Sequence, residues 1–421
     1  MEKMVIRGGV PLKGTVEIGG SKNAALPIMC ACLLTRDEMT LHRVPALRDI
    51  LTTKQLLLQL GVQLDDFTPG TLRIKAWEIT DHTAPYELVK TMRASVVVLG
   101  PLMAREGRAD VSLPGGCSIG ARPIDQHLKG LEAMGAAIEL EGGYILSRAK
   151  RLKAADFTFD LKTVTGTENL MMAASLAKGT TVLRNCAIEP EVTELAHFIN
   201  LMGGSVHGAG TDTVVVEGRD DLHGIVHPIM PDRIEAGTYL MAGAITRGDV
   251  TVRGCVPSHL AKLLEKLDEA GLRLEVGEDQ VKVVSNGRVK SRDVETDPYP
   301  GFATDFQAQY MALMSLADSR CRITENVFEN RFMHVQELVR MGARIRVSGR
   351  TAQVDGVEKL SGAHVQATDL RASASLILAG LAAEGVTEIH RVYHLDRGYE
   401  RIEEKLFRLG ADISREKDEI L

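Results

Sequence analysis

Cys117 lies in a glycine-rich stretch, LPGGCSIGARP, and Arg122 follows it five positions later. Glycine loses more conformational freedom than any other residue when it is held still, so this stretch is expected to form a mobile loop. Arg122 and other nearby cations would lower the pKa of the Cys117 thiol toward neutrality. The alternative is an incidental loop cysteine, but the flanking GG and SIGARP favour a chemical role.

Asp305 is the candidate general base. It lies in YPGFATDFQAQYM, where the pattern predicts the start of a buried helix. An aspartate at that position often caps the helix, because its carboxylate accepts hydrogen bonds from free backbone N–H groups. A carboxylate that faces a cleft rich in arginine can instead remove a proton from a substrate hydroxyl. Both interpretations fit the sequence.

Lys22 and Asn23 lie in GGSKNAALP, where Ser21 is a plausible N-cap and the next two residues occupy the first turn of a buried helix. Free N–H groups together with a lysine form an anion site. The stretch lacks the GxxxxGK[ST] pattern of a phosphate-binding P-loop. A solvated lysine in the first turn is the simpler alternative when this stretch is considered alone.

Other arginines are predicted at comparable helix starts. Two open buried helices, Arg93 in KTMRASVVVLG and Arg371 in TDLRASASLILAG, and two open surface helices, Arg331 in ENRFMHVQELVRMG and Arg397 in HLDRGYERIEEKL. A positive charge there opposes the helix macrodipole and costs up to about 1 kcal/mol. Several such charges indicate that a bound anion reverses the field, and the arginine fork suits phosphate and carboxylate.

The elements that would position these residues recur along the chain. Six predicted helices end on a glycine, at intervals of 68 to 74 residues: Gly61, Gly135, Gly203, Gly271, Gly342 and Gly410. Glycine suits the left-handed conformation that ends a helix. A nearly constant period through the whole chain indicates internal repetition.

Each repeat is predicted to have the order β-α-β-α-β-β. Its first helix, such as NAALPIMCACLL, is apolar nearly all round and should be buried, whereas the second, such as HLAKLLEKLDEAG, has one polar face and should lie on the surface. Three repeats in each of two domains give an α/β fold with helices inside and sheets outside. A stacked solenoid is the alternative, although its usual period of about 20–50 residues is shorter.

The amino-acid composition argues against several classes of function. The chain has 421 residues, enough for two domains, and a net charge of −6, which argues against general affinity for nucleic acid or anionic membranes. No apolar run reaches the length of a signal peptide or a transmembrane helix. The six cysteines form no CxxC pair, and neither HExxH nor a ligand-spaced Cys/His cluster occurs. We therefore expect a cytoplasmic protein that binds no metal.

Separated motifs through the whole chain match a known family. They are GSKNAALP, KTMRAS, LPGGCSIGARPID, FATDFQAQ, ENRFMHVQELVRMGA, TDLRASASLILAGLAA and HLDRGYERIEEKL. This set closely resembles the UDP-N-acetylglucosamine 1-carboxyvinyltransferases, enolpyruvyl transferases of peptidoglycan precursor synthesis. The resemblance implies transfer of the enolpyruvyl group of phosphoenolpyruvate to the 3-hydroxyl of UDP-N-acetylglucosamine, with release of phosphate, through a tetrahedral ketal and without a cofactor.

The family resemblance also implies an architecture. Its members have two similar domains, each an inside-out α/β barrel of three βαβαββ units. The first strand crosses over, so one domain is expected to span 22–229. The other is expected to comprise 1–21 and 230–421.

Matching the motifs carries the family's ligand contacts onto this chain. The resemblance implies that phosphoenolpyruvate is bound by Lys22, Asn23, Arg122, Arg331, Arg371 and Arg397. It implies that the nucleotide sugar is bound by Arg93, Arg122, Pro123, Ile124, Asp125, Gln126, Lys162, Thr163, Val164, Gly166, Asp305 and the backbone at Val327.

The catalytic roles follow the same matches. Asp305 would act as base on the 3-hydroxyl, while Lys22 and Arg397 would stabilise the anionic donor. Cys117 would protonate the methylene carbon of phosphoenolpyruvate or assist product release. It would also be the thiol that fosfomycin alkylates, whereas members with aspartate at this position resist the drug.

Two other functions remain open at this stage. A 5-enolpyruvylshikimate-3-phosphate synthase has the same architecture and the same donor, but it lacks the cysteine-bearing loop GGCSIGARP. A repeat-built binding protein without catalysis would explain the periodicity, but not the charged residues at so many helix starts.

Overall fold

The computed structural model describes residues 2–90, 92–114 and 124–418. These residues form two compact units. The N-terminal unit comprises the described residues of 20–230, and the C-terminal unit comprises 2–19 and 231–418.

Each unit contains three four-stranded sheets among the described residues, and all of the sheets share one order. A parallel pair of strands is followed by two antiparallel strands. In the N-terminal unit the first sheet contains, in order, β14 (Val226–Pro228), β3 (Glu38–His42), β5 (Thr71–Lys75) and β4 (Gln63–Asp65). The second contains β6 (Thr83–Ala84), β7 (Arg108–Ser112), β9 (Tyr144–Arg148) and β8 (Ala137–Glu141). The third contains β10 (Asp156–Thr158), β11 (Thr180–Arg184), β13 (Thr213–Glu217) and β12 (Val206–His207).

The sheets of the C-terminal unit repeat this pattern. The first contains, in order, β2 (Lys13–Glu17), β15 (Asp249–Arg253), β17 (Gln280–Val284) and β16 (Arg273–Val276). The second contains β18 (Val294–Glu295), β19 (Arg320–Thr324), β21 (Thr351–Asp355) and β20 (Arg344–Ser348). The third contains β22 (His364–Gln366), β23 (Val386–His390), β1 (Glu2–Arg7) and β24 (Asp412–Lys417). The predicted sixfold repetition is therefore confirmed at the level of strand order.

The small-residue helices form the centre of each unit, as the sequence predicts. They are α1 (Lys22–Ala31), α4 (Leu99–Glu106) and α6 (Val164–Ser175) in the N-terminal unit, and α8 (Arg233–Ile245), α10 (Gln307–Met314) and α12 (Leu370–Ala382) in the C-terminal unit. Every residue of α8 and α10 is buried. Alanine and glycine let these helices lie close together, because their small side chains leave little bulk between the backbones.

The second helix of each repeat carries the polar face. These helices are α2 (Arg48–Gln59), α5 (Asp125–Ala133), α7 (Pro190–Leu201), α9 (Ala261–Glu269), α11 (Val335–Arg340) and α13 (Ile402–Arg408). All are followed by the predicted glycines, whose φ angles lie between 85° and 97°. At Gly61 the N–H donates to Leu58, and the next N–H, of Val62, donates to Leu57. This pair of bonds is a Schellman motif, which satisfies the last carbonyls of the helix.

Short helical segments complete the chain. They are α3 (Tyr86–Val89) and five 3-10 helices, Cys32–Leu34, Arg93–Val98, Pro257–Leu260, Thr304–Phe306 and Val392–Arg397. Among the described residues, no helix has the length and apolar character that a bilayer-spanning helix needs.

Two predicted helix starts are wrong. Arg331 precedes the first residue of α11, Val335, by a full turn, and Arg397 ends a 3-10 helix rather than opening α13. The amphipathic pattern extends upstream of each helix, but Arg331 lies outside regular secondary structure, and its side chain forms a buried ion pair with Asp305. The side chain is therefore positioned by tertiary contacts and not by a helix N-terminus.

Candidate active site

Asp305 is held between two arginines in the C-terminal unit. Its Oδ1 accepts a hydrogen bond from Arg331 Nη2 at 2.6 Å, and its Oδ2 accepts one from Arg371 Nη2 at 2.8 Å. Both arginine side chains are buried, whereas 26% of the Asp305 side chain is exposed. Because each carboxylate oxygen has a second lone pair, Asp305 can still accept a hydrogen bond from a ligand.

The two arginines control the ionisation of Asp305. Burial works against the charged carboxylate, but the positive charges of Arg371 and Arg331 outweigh burial and hold the pKa of Asp305 well below its ordinary value. Asp305 is therefore ionised at neutral pH. It does not cap α10, which begins two residues later at Gln307.

Arg371 is oriented by the start of α12. Asp369 is the N-cap, and its Oδ1 accepts hydrogen bonds from the backbone N–H of Arg371 at 2.9 Å and of Ala372 at 3.1 Å. The other end of Arg371 donates from Nη1 to the Tyr399 hydroxyl at 3.3 Å. Both contacts fix the guanidinium so that Nη2 faces Asp305.

Tyr399 links three buried helices around this carboxylate. Its hydroxyl lies 2.8 Å from Thr238 Oγ1 on α8 and accepts from Gln309 Nε2 on α10 at 3.2 Å. The same Gln309 nitrogen donates to the backbone carbonyl of Asp305 at 2.9 Å. The network is rigid because each member is both buried and hydrogen-bonded.

Arg331 is oriented by a neighbouring loop. Its Nη1 donates to Thr304 Oγ1 at 3.1 Å, and its guanidinium lies 5.0 Å from the ring of Phe328. Glu325 organises this loop, since its Oε1 accepts from the backbone N–H of Val327 at 2.9 Å. The N–H of Val327 is thus already paired, which leaves its carbonyl as the backbone group for a ligand.

Lys22 forms a buried ion pair in the N-terminal unit. It is the first residue of α1, and Ser21 is the N-cap, as predicted, accepting from Ala24 N at 3.3 Å. Lys22 Nζ lies 2.7 Å from Asp49 Oδ2, and their side chains are 13% and 3% exposed. Lys22 is therefore not a solvated first-turn lysine, and Asn23 beside it is half-buried.

The two segments predicted to bind the nucleotide sugar meet within the N-terminal unit. Asp125 and Gln126 begin α5, and Gln126 donates to Asp160 Oδ2 at 2.9 Å while its Oε1 accepts from Asp160 N at 2.8 Å. Asp160 lies two residues before the second segment, which begins at Lys162. Its members include Thr163, the N-cap of α6, which accepts from Gly166 N at 3.2 Å. The remaining predicted contacts, Ile124, Lys162 and Val164, lie in the same two segments.

His127 lies behind these segments. It is buried, and its Nδ1 is 2.8 Å from Asn169 Nδ2. Burial, with a contribution from the positive charge of Arg93, lowers the pKa of His127 to about 4. Arg93 begins the 3-10 helix that leads into α4. The imidazole is therefore neutral near pH 7, because both burial and the nearby cation disfavour its charged form.

Three predicted site residues, Cys117, Arg122 and Pro123, lie outside the described residues. Among the described ones, sequence analysis missed Tyr399 and Asp49. Tyr399 lies two residues after Arg397 in the HLDRGYERIEEKL motif, so the sequence could have drawn attention to it. Its hydrogen bonds to other helices, however, could not be predicted from the sequence. Asp49 gave no signal, because its partner Lys22 lies on a different helix.

Comparisons with known proteins show the family of the chain. The family model described as EPSP synthase (3-phosphoshikimate 1-carboxyvinyltransferase) matches residues 6–406. A UDP-N-acetylglucosamine 1-carboxyvinyltransferase of Anaeromyxobacter sp. (strain Fw109-5) is 58% identical over 421 residues, covering 99% of this chain and 100% of the relative. One of Halorhodospira halophila (strain DSM 244 / SL1) is 55% identical over 418 residues, covering 99% and 100%.

Solved structures share the architecture. The enolpyruvyl transferase NikO from Streptomyces tendae superposes with a TM-score of 0.89 at 26% identity, covering 98% of each chain. An EPSP synthase from Acinetobacter baumannii has a TM-score of 0.79 at 18% identity, covering 99% of this chain and 100% of that chain. These similarities match the two-domain α/β barrel built from βαβαββ repeats that the sequence predicts.

Proposed function

The chain belongs to the UDP-N-acetylglucosamine 1-carboxyvinyltransferase family of enolpyruvyl transferases, and from this premise we propose its reaction and the roles of its residues. It transfers the enolpyruvyl group of phosphoenolpyruvate to the 3-hydroxyl of UDP-N-acetylglucosamine and releases phosphate. The observation that carries the proposal is identity of 55–58% over essentially the full length of relatives with that name. The 18% identity to an EPSP synthase structure supports only the fold.

Asp305 is the base in this proposal. It takes the proton of the sugar hydroxyl while the hydroxyl oxygen adds to the enol carbon of phosphoenolpyruvate and the methylene carbon is protonated. Loss of a proton from the resulting methyl group and departure of phosphate then restore the carbon–carbon double bond, now in an enol ether of the sugar oxygen. The hydroxyl proton that Asp305 took leaves with the phosphate, so the steps balance without an external acid or base.

The two arginines explain how a carboxylate of low pKa can serve as this base. Arg331 and Arg371 bind Asp305, but phosphoenolpyruvate has a phosphate and a carboxylate that compete for the same guanidinium groups. Donor binding at the arginines draws positive charge away from Asp305, which raises the pKa of the carboxyl and its affinity for a proton. Asp305 thus becomes a stronger base when the donor is present.

In this proposal, Lys22 and Arg397 bind the negatively charged groups of phosphoenolpyruvate. Lys22 adds an ammonium group to the N-terminal turn of α1, and the buried Asp49 holds it in place. Asn23, in the same turn, contributes an amide. Arg397 is half-buried, and its guanidinium fork would bind phosphate or carboxylate.

The nucleotide sugar is assigned to the paired segments of the N-terminal unit. Asp125 offers a carboxylate, and the first turn of α5, which includes Gln126, and the first turn of α6 offer backbone N–H groups to the uracil and the phosphates. Lys162 and Arg93 supply positive charge for the diphosphate, with Arg122 and Pro123 completing the set. In the C-terminal unit, the carbonyl of Val327 accepts from the sugar.

Cys117 is proposed as the proton donor to the methylene carbon or as an aid to product release, and as the target of fosfomycin. We propose that the reaction takes place in the cytoplasm, and the free thiols of the five cysteines in the described residues support this.

Phosphate release with two acceptors tests the proposed reaction. With phosphoenolpyruvate present, UDP-N-acetylglucosamine should support turnover and shikimate 3-phosphate should not. Turnover with shikimate 3-phosphate alone would assign the chain to the sister activity. No phosphate release with either acceptor would favour a binding protein.

A further inference from the structure

One face of the sheet formed by β22, β23, β1 and β24 presents a histidine-rich cluster. His364 on β22 stands directly opposite Glu388 on β23, and His390 is two residues further along the same strand. Side chains alternate along a strand, so Glu388 and His390 share a face, whereas Ile389 between them is buried in the core. Three groups able to bind a metal therefore project from one side of the sheet.

The donor atoms of this cluster are close together. One nitrogen from each histidine and one Glu388 oxygen lie within 4.8 Å of one another. His364 Nδ1 is 3.6 Å from Glu388 Oε2, and the two imidazole rings are nearly parallel, with centroids 5.8 Å apart. Within the described part of the chain, no other group of three such residues is this compact.

Asp418 orients His390 as in a metal site. Its carboxylate Oδ2 lies 2.7 Å from His390 Nδ1, and its side chain is fully buried. An imidazole that donates from Nδ1 to a carboxylate keeps the lone pair of Nε2 for another partner. This carboxylate–histidine arrangement is typical of the residues that support metal ligands in proteins.

The charges around the cluster favour a cation. Lys3 on β1 binds Glu388 Oε2 at 2.6 Å and also lies in the field of Glu416 and Asp418. The three carboxylates near Lys3 carry more negative charge than its one ammonium group neutralises. A divalent cation could balance the remainder. Glu388 has a second oxygen, Oε1, that can serve as ligand while Lys3 keeps the first.

We propose that His364, Glu388 and His390 bind a divalent transition-metal ion of the zinc class, with Asp418 orienting His390. Two histidines and a carboxylate form a common three-residue set for Zn²⁺, and water takes the fourth position. Tetrahedral ligands at usual zinc distances lie about 3.3 Å apart, so the donor atoms must come closer. His364 can make this movement, because 68% of its side chain is exposed.

The ion would join a short edge strand to the sheet. β22 has three residues and lies at the edge of the sheet, next to β23. A ligand that binds the native state and not the unfolded chain raises the free energy of unfolding, and the increase grows with the logarithm of ligand concentration once that exceeds the Kd. The site is therefore structural, and it is independent of the proposed transferase chemistry at Asp305.

Zinc titration of the full-length protein, made without a histidine tag and stripped with a chelator, tests this inference. Calorimetry should detect one equivalent of Zn²⁺, lost in His364→Ala and in His390→Ala, and the melting temperature should rise with zinc only in the wild type. Asp418→Asn should weaken binding about 10- to 100-fold. His82→Ala is the matched control, since His82 Nε2 lies 3.8 Å from one carboxylate, that of Glu106, and it should leave binding unchanged.

Substitution by Co²⁺ identifies the ligands. A tetrahedral visible spectrum without a thiolate charge-transfer band is expected, and it should disappear in His390→Ala. A thiolate band, binding that survives in His364→Ala and His390→Ala, or the absence of stoichiometric binding would each overturn the inference. Because His364 is exposed, His364→Ala should fold normally, so loss of binding in that variant is not a folding defect.

Discussion

Arg371 donates a hydrogen bond of 2.8 Å from Nη2 to Oδ2 of Asp305, across 66 residues of chain. The pair brings the start of α12 against the start of α10, and Tyr399 supports it from a third segment. Asp305 therefore has two roles, since its carboxylate forms a structural ion pair with Arg371 and is also the proposed base. The predictions about the C-terminal unit follow from this double role.

Arg371→Gln should destabilise the protein by about 3 kcal/mol, because a buried charge pair that loses one partner leaves the other uncompensated. Adding Asp305→Asn in the same chain should recover part of that loss, and urea unfolding of the four members of the cycle measures the coupling. The matched control is the exposed pair Lys359–Glu384, whose Nζ and Oε2 are 2.8 Å apart with both side chains 65% exposed. Its coupling should stay below about 1 kcal/mol. Equal coupling in the two pairs would contradict the burial argument.

The buried His127 predicts a specific loss of stability in acid. Its pKa is about 4 in the folded protein against an ordinary value of 6.5, so the unfolded chain binds the extra proton between these limits. Stability should therefore fall as pH drops from 6.5 to 4, by about 3 kcal/mol in total from this residue. Denaturant unfolding of the wild type and of His127→Gln at several pH values checks this. Parallel pH curves for the two proteins would show that His127 does not titrate as described.

Alanine substitutions at two of the helix-ending glycines allow the free-energy cost of backbone strain to be measured separately from the cost of a steric clash. A Cβ added at Gly342, where φ is 97°, meets no atom within 4 Å, whereas at Gly61, where φ is 93°, it would lie 2.3 Å from Thr80 Oγ1. Gly342→Ala should cost about 1–2 kcal/mol for the left-handed backbone alone. Gly61→Ala should cost more, because Thr80 must also move. Thermal unfolding of both variants compares them, and a smaller loss at Gly61 would argue against this account.

Cys117 should be alkylated by fosfomycin in the presence of the nucleotide sugar. Intact-mass analysis is expected to detect one adduct on the wild type, with loss of activity, and none on Cys117→Asp, which should remain active in the drug. The other cysteines serve as an internal control, since those in the described residues are all buried. An adduct on one of these instead, or inactivation of Cys117→Asp, would count against the assignment.

Much of the fold could be predicted from local sequence signals. The glycines from Gly61 to Gly410 mark helix ends because a positive φ is a local requirement, and they fix the period of the six repeats. The Ala- and Met-rich segments indicate burial by composition alone. Ser21 as N-cap likewise depends only on neighbouring residues.

The pairings within the site could not be predicted in this way. Arg331 and Arg397 carry the residue types that the chemistry needs, but their expected place at helix starts was wrong, because Arg331 precedes α11 by a full turn and Arg397 ends a 3-10 helix. The partner of Lys22, Asp49, lies on another helix, and His364 meets His390 only through the register of two strands. Such contacts depend on how distant segments pack, which no periodicity reveals.

Turnover by Asp305→Asn tests the central claim most directly. Asparagine keeps the shape of the side chain but cannot take a proton, so phosphate release from phosphoenolpyruvate with UDP-N-acetylglucosamine should fall by at least about 100-fold, the lower end of what general base catalysis contributes. Circular dichroism should confirm folding, and Asp297→Asn, an exposed aspartate in the same unit, should retain full activity. Activity of Asp305→Asn within a few-fold of the wild type would contradict the assignment of Asp305 as the base.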